Sequence, residues 1–155
     1  MNQRYMDSIY KINIETLLKA INCAENNIII TDSEGTILWC NDHALIATGY
    51  TKEEFIGQNP NILQHESTKV ETYKDMWDTI KNKKLTWKGK LKNKKKDGST
   101  YYEDLSITPM LNENNEIECF IGIQIETTEI ELMKEKIKNK VQEIQESIKK
   151  HKLIS

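Results

Sequence analysis

Apolar residues recur along this chain in two rhythms, and the switches between them predict its elements. Ile9, Ile12, Leu17, Leu18 and Ile21 stand at helical spacing before Cys23, which predicts an amphipathic amino-terminal helix covering either the domain or a second copy. Residues 27–31 form a β-branched run. The turn Asp32-Ser33-Glu34-Gly35 separates it from a second strand pattern over 36–40, so the two make a hairpin. Residues 41–49 read as a short helix closed by Gly49. Thr51-Lys52-Glu53-Glu54 starts another, with Thr51 as cap and acidic residues in the first turn. A longer helix is predicted over 67–81, with Val70, Tyr73, Met76, Trp77 and Ile80 on the face turned to the core. Residues 85–95 and 100–110 are strand-like and joined through Asp97-Gly98, a strong hairpin signal; the turn 112–115 leads into the most apolar strand, 117–125.

From Thr128 onward Ile130, Met133, Ile137, Val141, Ile144 and Ile148 repeat at steps of three and four. The stripe predicts a helix that either pairs with a second copy or folds back on the sheet. All six glycines and both prolines lie between Gly35 and Gly122, so the breakers are central and both ends are free of them. The expected organisation is an amino-terminal helix over 1–23, a sensor domain over 24–127 and a carboxy-terminal coiled-coil or linker helix over 128–155. Two strands, several short helices and three further antiparallel strands make the class α+β.

Composition narrows the partners. The 155 residues suffice for one domain and its helical arms, and a formal charge of −2 argues against nucleic acid or an anionic membrane as partner. No apolar run is long enough to span a bilayer and no signal-peptide pattern occurs, so a cytoplasmic location is expected. Cys23, Cys40 and Cys119 lack metal-ligand spacing and read as buried reduced thiols. His43, His65 and His151 read as surface or turn residues, none of them on the 67–81 helix where a haem ligand would stand. The basic run 92–96 reads as a solvated hairpin end, and no catalytic motif appears, so no enzymatic activity is expected. No kinase, cyclase or DNA-binding motif follows the last helix, which leaves an output domain or a separate partner protein as the expected downstream element.

Candidate chemistry centres on Gly57-Gln58-Asn59-Pro60-Asn61-Ile62-Leu63-Gln64, a helix start facing a pocket, with Asn59 as cap and Pro60 at the first helical position. This octet, with Trp87-Lys88-Gly89, the stretch 93–98, Ile107-Thr108-Pro109 and the stretch 120–124, resembles the PAS superfamily over roughly 24–127. The octet is similar to the G-x-N-C-x-x-L-Q signature of light-oxygen-voltage (LOV) flavin domains, with Pro60 where the photoreactive cysteine stands. The resemblance implies a five-stranded antiparallel sheet with short helices on one face, flanked by amino- and carboxy-terminal helices.

It also implies a flavin. Asn59, Gln64, Asn93 and Gln124 fall where LOV domains place amides around the ring, and the fifth such position is Glu103, which either turns outward or holds a raised pKa beside a neutral ring. Asn61 and Trp77 align with the arginines that hold an FMN phosphate. Tyr73-Lys74-Asp75-Met76-Trp77 and Trp87-Lys88-Gly89 look like the FAD-binding PAS domains of bacterial redox sensors, with Trp77 and Trp87 lining the slot; for Trp77, core packing is the alternative. The implied function is a dimeric sensory module that binds FAD in preference to FMN, without a cysteinyl adduct, and relays the flavin's redox or photoreduced state through Gln124 to the carboxy-terminal helix. The alternative is a PAS dimerisation and relay module that holds another metabolite or no cofactor.

Overall fold

The computed structural model describes residues 13–152. Helix α1 (Ile14–Asn22) starts at Asn13, whose side chain accepts from the Thr16 N–H. Strands β1 (Asn27–Asp32) and β2 (Ile37–Cys40) form the expected hairpin, with the Asp32 carboxylate accepting from the Glu34 and Thr36 N–H groups across the turn. Two short helices follow, α2 (Asp42–Thr48), closed by Gly49 at φ 80, and α3 (Lys52–Phe55), opened by a capping box between Thr51 and Glu54. A 3₁₀ turn over Pro60–Leu63 leads to α4 (Val70–Trp77), then to β3 (Trp87–Lys94), β4 (Thr100–Leu111), β5 (Ile117–Glu126) and the long α5 (Thr128–Lys152).

The five strands are antiparallel in the order β2-β1-β5-β4-β3. The first strand of the chain therefore pairs with the last, and the register sets Asn27 opposite Gln124 and Gln124 opposite Leu105. Strand alternation turns Trp87, Leu91 and Asn93 of β3, and Tyr101, Glu103 and Leu105 of β4, to the buried face. One buried cluster joins Ile29, Ile37, Cys40, Ala44, Phe55 and Leu63, and a second joins Met76, Ile80, Trp87, Leu91, Leu105 and Phe120.

The internal helix departs from its sequence pattern at both ends. Residues 65–68 are held as a turn, because His65 Nδ1 receives the Ser67 N–H and the His65 carbonyl the Thr68 N–H, so α4 begins only at Val70, which is exposed rather than core. At its far end the helix widens into a π turn over Asp78–Asn82, closed by the Lys83 N–H on the Asp78 carbonyl. The two apolar stripes outside the sheet lie open: Ile14, Leu17, Leu18 and Ile21 of α1 are exposed, as are Ile130, Met133, Ile137, Val141, Ile144 and Ile148 of α5. Helix α5 is thus not folded back on the sheet. The expected apolar positions Ile9 and Ile12 lie outside the described residues. Cys40 is buried and Cys119 half-buried, but Cys23 is exposed at the α1 C-terminus, which corrects its assignment as a buried thiol.

Asn41 is the fully buried polar link between these parts. Its Oδ1 accepts from the Ile28 and Ala44 N–H groups, and its Nδ2 donates to the Asn26 carbonyl at 2.9 Å and the Ile21 carbonyl at 3.4 Å. Asn41→Ala removes a helix cap and leaves the half-buried Ile28 N–H of β1 and the Asn26 carbonyl before it without their side-chain partner, so we expect a loss of about 2 kcal/mol, read as a lower urea midpoint at unchanged slope.

Candidate ligand site

Between the two apolar clusters the sheet and the short helices enclose a cavity of about 440 Å³, within the ordinary range for small-molecule sites. Its walls are largely apolar: Ile29 and Leu63 come from the first cluster, and Leu91, Leu105, Phe120 and Met76 from the second. Gly122 of β5 stands on the same wall; a Cβ there would meet Ile29 O at 3.7 Å and Leu105 Cδ1 at 3.8 Å, so its absence opens the floor.

Six of the seven residues singled out in the sequence, Asn59, Gln64, Trp77, Asn93, Glu103 and Gln124, line this cavity. They are spent differently. Asn59 is exposed at the mouth, and its amide holds the loop rather than an empty space: Oδ1 accepts from the Asn61 N–H and Nδ2 donates to the Gly35 carbonyl at 3.1 Å. That contact needs glycine at 35, where φ is +91 and a Cβ would lie 3.0 Å from Asn59 Nδ2. Gln64 is exposed and its backbone bridges to Asn93. Trp77 is half-buried, with its ring edge-on to Phe120 and Lys81 Nζ 4.9 Å from its centroid, so it walls the cavity and packs the core at once.

Trp87 is the seventh, and it is not in the lining. Its ring lies over Gly89 on the inner face of β3, and its Nε1 donates to Asp75 Oδ2 at 2.8 Å. That bond and the missing Gly89 side chain draw the indole along its own strand, into the cluster of Met76 and Ile80, which line the cavity while Trp87 does not.

Asn93, Glu103 and Gln124 make a buried polar edge on neighbouring strands. Gln124 Oε1 accepts from Asn27 Nδ2 at 3.4 Å, and Asn27 Oδ1 meets His43 Nδ1 at 2.8 Å. His43 is therefore part of a half-buried polar chain, not a free surface residue. Glu103 is 1% exposed; Oε1 accepts from Asn93 Nδ2 at 2.9 Å, while Oε2 has no hydrogen-bond partner among the described residues. Burial pushes its pKa from the ordinary 4.5 up to about 8, and the Tyr101 hydroxyl, close but outside hydrogen-bond geometry, offsets only part of the cost. The carboxyl is a neutral acid at pH 7. Of the two sequence alternatives for Glu103, the fold takes the inward one.

The apolar walls had no motif of their own. Thr31, Leu105 and Gly122 lie in the lining because of strand alternation and register, which only the period of two along β1, β4 and β5 signalled, and Tyr73 because of the helical period over 67–81. Among the described residues no cysteine, lysine or arginine lines the cavity; Pro60 and Asn61 do. In the basic run Lys95 Nζ lies 3.4 Å from Glu126 and Lys96 Nζ 2.5 Å from Glu54, and Lys94 and Lys96 stand exposed at the hairpin end. Among the described residues there is no cluster able to hold a metal ion and no helix long and apolar enough to cross a membrane.

An antiparallel sheet of this order, with short helices clasping one face around a cavity and a helix leaving the last strand, defines a sensory fold. The chain belongs to the PAS domain family, whose pattern it matches over residues 25–129. It is 37% identical over 117 residues to a blue-light photoreceptor of Listeria innocua serovar 6a, covering 74% of this chain and 46% of that protein. It is 31% identical over 112 residues to a nitrogen fixation regulatory protein of Klebsiella oxytoca, covering 72% of this chain and 22% of the relative. The chain thus spans under half the length of either relative, and both are by name sensory or regulatory proteins. The crystal structure of a PAS domain of a Colwellia psychrerythraea protein superposes with a TM-score of 0.68 at 25% identity, over 75% of this chain and 98% of the other.

Proposed function

We propose that this chain is a sensory module that holds a flavin without a covalent bond in the cavity beside Asn93, Glu103 and Gln124, and passes the flavin's redox state to α5. The observation that carries the reading is the combination of apolar walls with one buried polar edge whose Glu103 Oε2 lacks a partner among the described residues. This donor set fits a ring that is apolar on its faces and carries alternating donors and acceptors along one edge. FAD is preferred to FMN because, among the described residues, no lysine or arginine lines the cavity; a terminal phosphate beside them forgoes charge-assisted bonds worth about 1.5–3 kcal/mol each. Pro60 at the mouth has no thiol to give an adduct.

A bound flavin supplies a ring nitrogen that accepts a hydrogen bond when oxidised and donates one when reduced. Gln124 answers by turning its amide, which alters the bond its Oε1 now accepts from Asn27. Three residues on, the Thr127 N–H donates to the Tyr102 carbonyl, and Thr128 Oγ1 accepts from the Tyr102 N–H, so a shift of β5 reaches the first turn of α5 directly. Lys90 ties that turn to β3 through Glu131 at 2.9 Å. Beyond it the exposed apolar stripe of α5 supports pairing with a second copy, whose packing the junction would bias.

The test is the ultraviolet-visible spectrum of the purified chain before and after dithionite and blue light, with the released chromophore identified by chromatography. We expect an oxidised flavin that bleaches on reduction, forms no thiol adduct in light and elutes as FAD. A chain that stays colourless after incubation with both flavins overturns the reading. Gln124→Leu should keep the flavin and abolish redox-dependent changes in α5, followed by spin labels placed on the exposed side of that helix. Redox-dependent spin-label distances that persist in Gln124→Leu would remove Gln124 from the relay.

A further inference from the structure

Glu103 sits where the sheet offers it no cation. It is enclosed by Tyr101 on its own strand, Asn93 on β3, Glu126 on β5 and Tyr73 on α4, and no lysine among the described residues pairs with it; Lys95 is drawn instead to Glu126 and over the Tyr101 ring. Glu126 adds a like charge and the phenols of Tyr73 and Tyr101 stay neutral, so against the cost of burial the ionised form of Glu103 has only the Asn93 amide and the Tyr101 hydroxyl beside it. The bond from Asn93 Nδ2 occupies Oε1, which leaves the acid's hydrogen to Oε2, the atom without a hydrogen-bond partner among the described residues, on a side chain that lines the cavity. Beside it, the Asn93 amide keeps its own oxygen as an acceptor.

The two residues together thus present a donor next to an acceptor. That pair is complementary to a cyclic imide edge, a carbonyl oxygen adjacent to an N–H. We propose that Glu103 acts as a neutral-acid hydrogen-bond donor to a carbonyl oxygen of the bound ring, with Asn93 accepting from the adjacent N–H, so that the cavity grips its ligand only while the carboxyl keeps its proton. This rests on the flavin reading and adds to it a dependence on pH. Once Glu103 ionises, both of its oxygens oppose the ligand carbonyl lone pairs, and the grip is lost. Glutamine at this position keeps the donor and the acceptor and cannot ionise.

Binding of riboflavin and FAD to the full chain, followed by quenching of flavin fluorescence, tests this across pH 6 to 9. We expect the wild-type dissociation constant to be nearly flat below pH 7 and about tenfold weaker at pH 9, as linkage to a group titrating near 8 requires, while Glu103→Gln binds with no such slope and Glu103→Leu binds weakly at every pH. Infrared spectra of flavin-bound wild type at pH 7 should show a protonated carboxylic C=O band that Glu103→Gln lacks, a readout that does not depend on how well the variants bind. If flavin binds but the band is absent, or wild type and Glu103→Gln share one pH profile, the donor role is overturned and the flavin reading stands. If neither flavin binds wild type at any pH, both fall together.

Discussion

Replacing Glu103 by glutamine should stabilise the ligand-free chain at pH 7 by roughly 3 kcal/mol, the cost of keeping a carboxyl with a folded pKa of about 8 protonated when its unfolded value is 4.5. Between those values the folded chain holds a proton that the unfolded chain has released. Wild-type stability therefore falls as pH rises, by up to about 1.4 kcal/mol per unit, until the folded carboxyl itself ionises. Below pH 4.5 both states are protonated and the variant gains nothing. For a chain of 155 residues the gain at pH 7 corresponds to a rise in Tm of roughly 6–12 °C. Urea titrations of both proteins at pH 4 and pH 7 measure it. Two curves that stay parallel across that range would mean that Glu103 is solvated and ionised. A neutral acid kept at such cost is the kind of local conflict that marks a binding edge rather than a scaffold position.

Gly122→Leu should close the cavity while leaving the sheet intact. The first carbon of the new side chain meets only ordinary contacts, at 3.7 Å to the Ile29 carbonyl and 3.8 Å to Leu105, so β5 accepts it without shifting. The remaining carbons have nowhere to go but the space between Leu105 and Phe120. Forcing a ligand past them carries an overpacking cost of about 1–3 kcal/mol, a loss of roughly 5- to 150-fold in flavin affinity. Gly122→Ala, which adds only the tolerated carbon, should bind nearly as wild type. Equilibrium binding of FAD to the three proteins, with circular dichroism to confirm that each is folded, separates the outcomes; equal affinity in all three would place the ligand elsewhere.

Much of the architecture was legible because it follows from neighbours in the chain. The β1–β2 hairpin follows from Asp32 and Gly35, the start of α3 from Thr51 and Glu54, the β3–β4 turn from Asp97 and Gly98, and each rests on hydrogen bonds within four residues. The polar edge was legible only through the family resemblance, since nothing local to Asn93, Glu103 or Gln124 says that they converge.

What needed the folded molecule is the set of features that depend on which strands are neighbours. Pairing of β1 with β5 brings Asn27 to Gln124, and the β3–β4 register sets Glu103 inside the sheet, so burial rather than residue type makes it a neutral acid. The same tertiary detail removed Trp87 from the cavity: a tryptophan at the right place in the motif still turns toward Asp75, because the indole N–H must be paired when buried and Gly89 leaves the room beside it. Val70 fell out of the core for a comparable reason, since the helical period continues through 67–81 while His65 holds the preceding turn and α4 starts late. Element types follow from short-range sterics and hydrogen bonds written in adjacent residues; the cavity, its pH-sensitive edge and the route to α5 follow from contacts across the sheet, whose partners lie ten to a hundred positions apart.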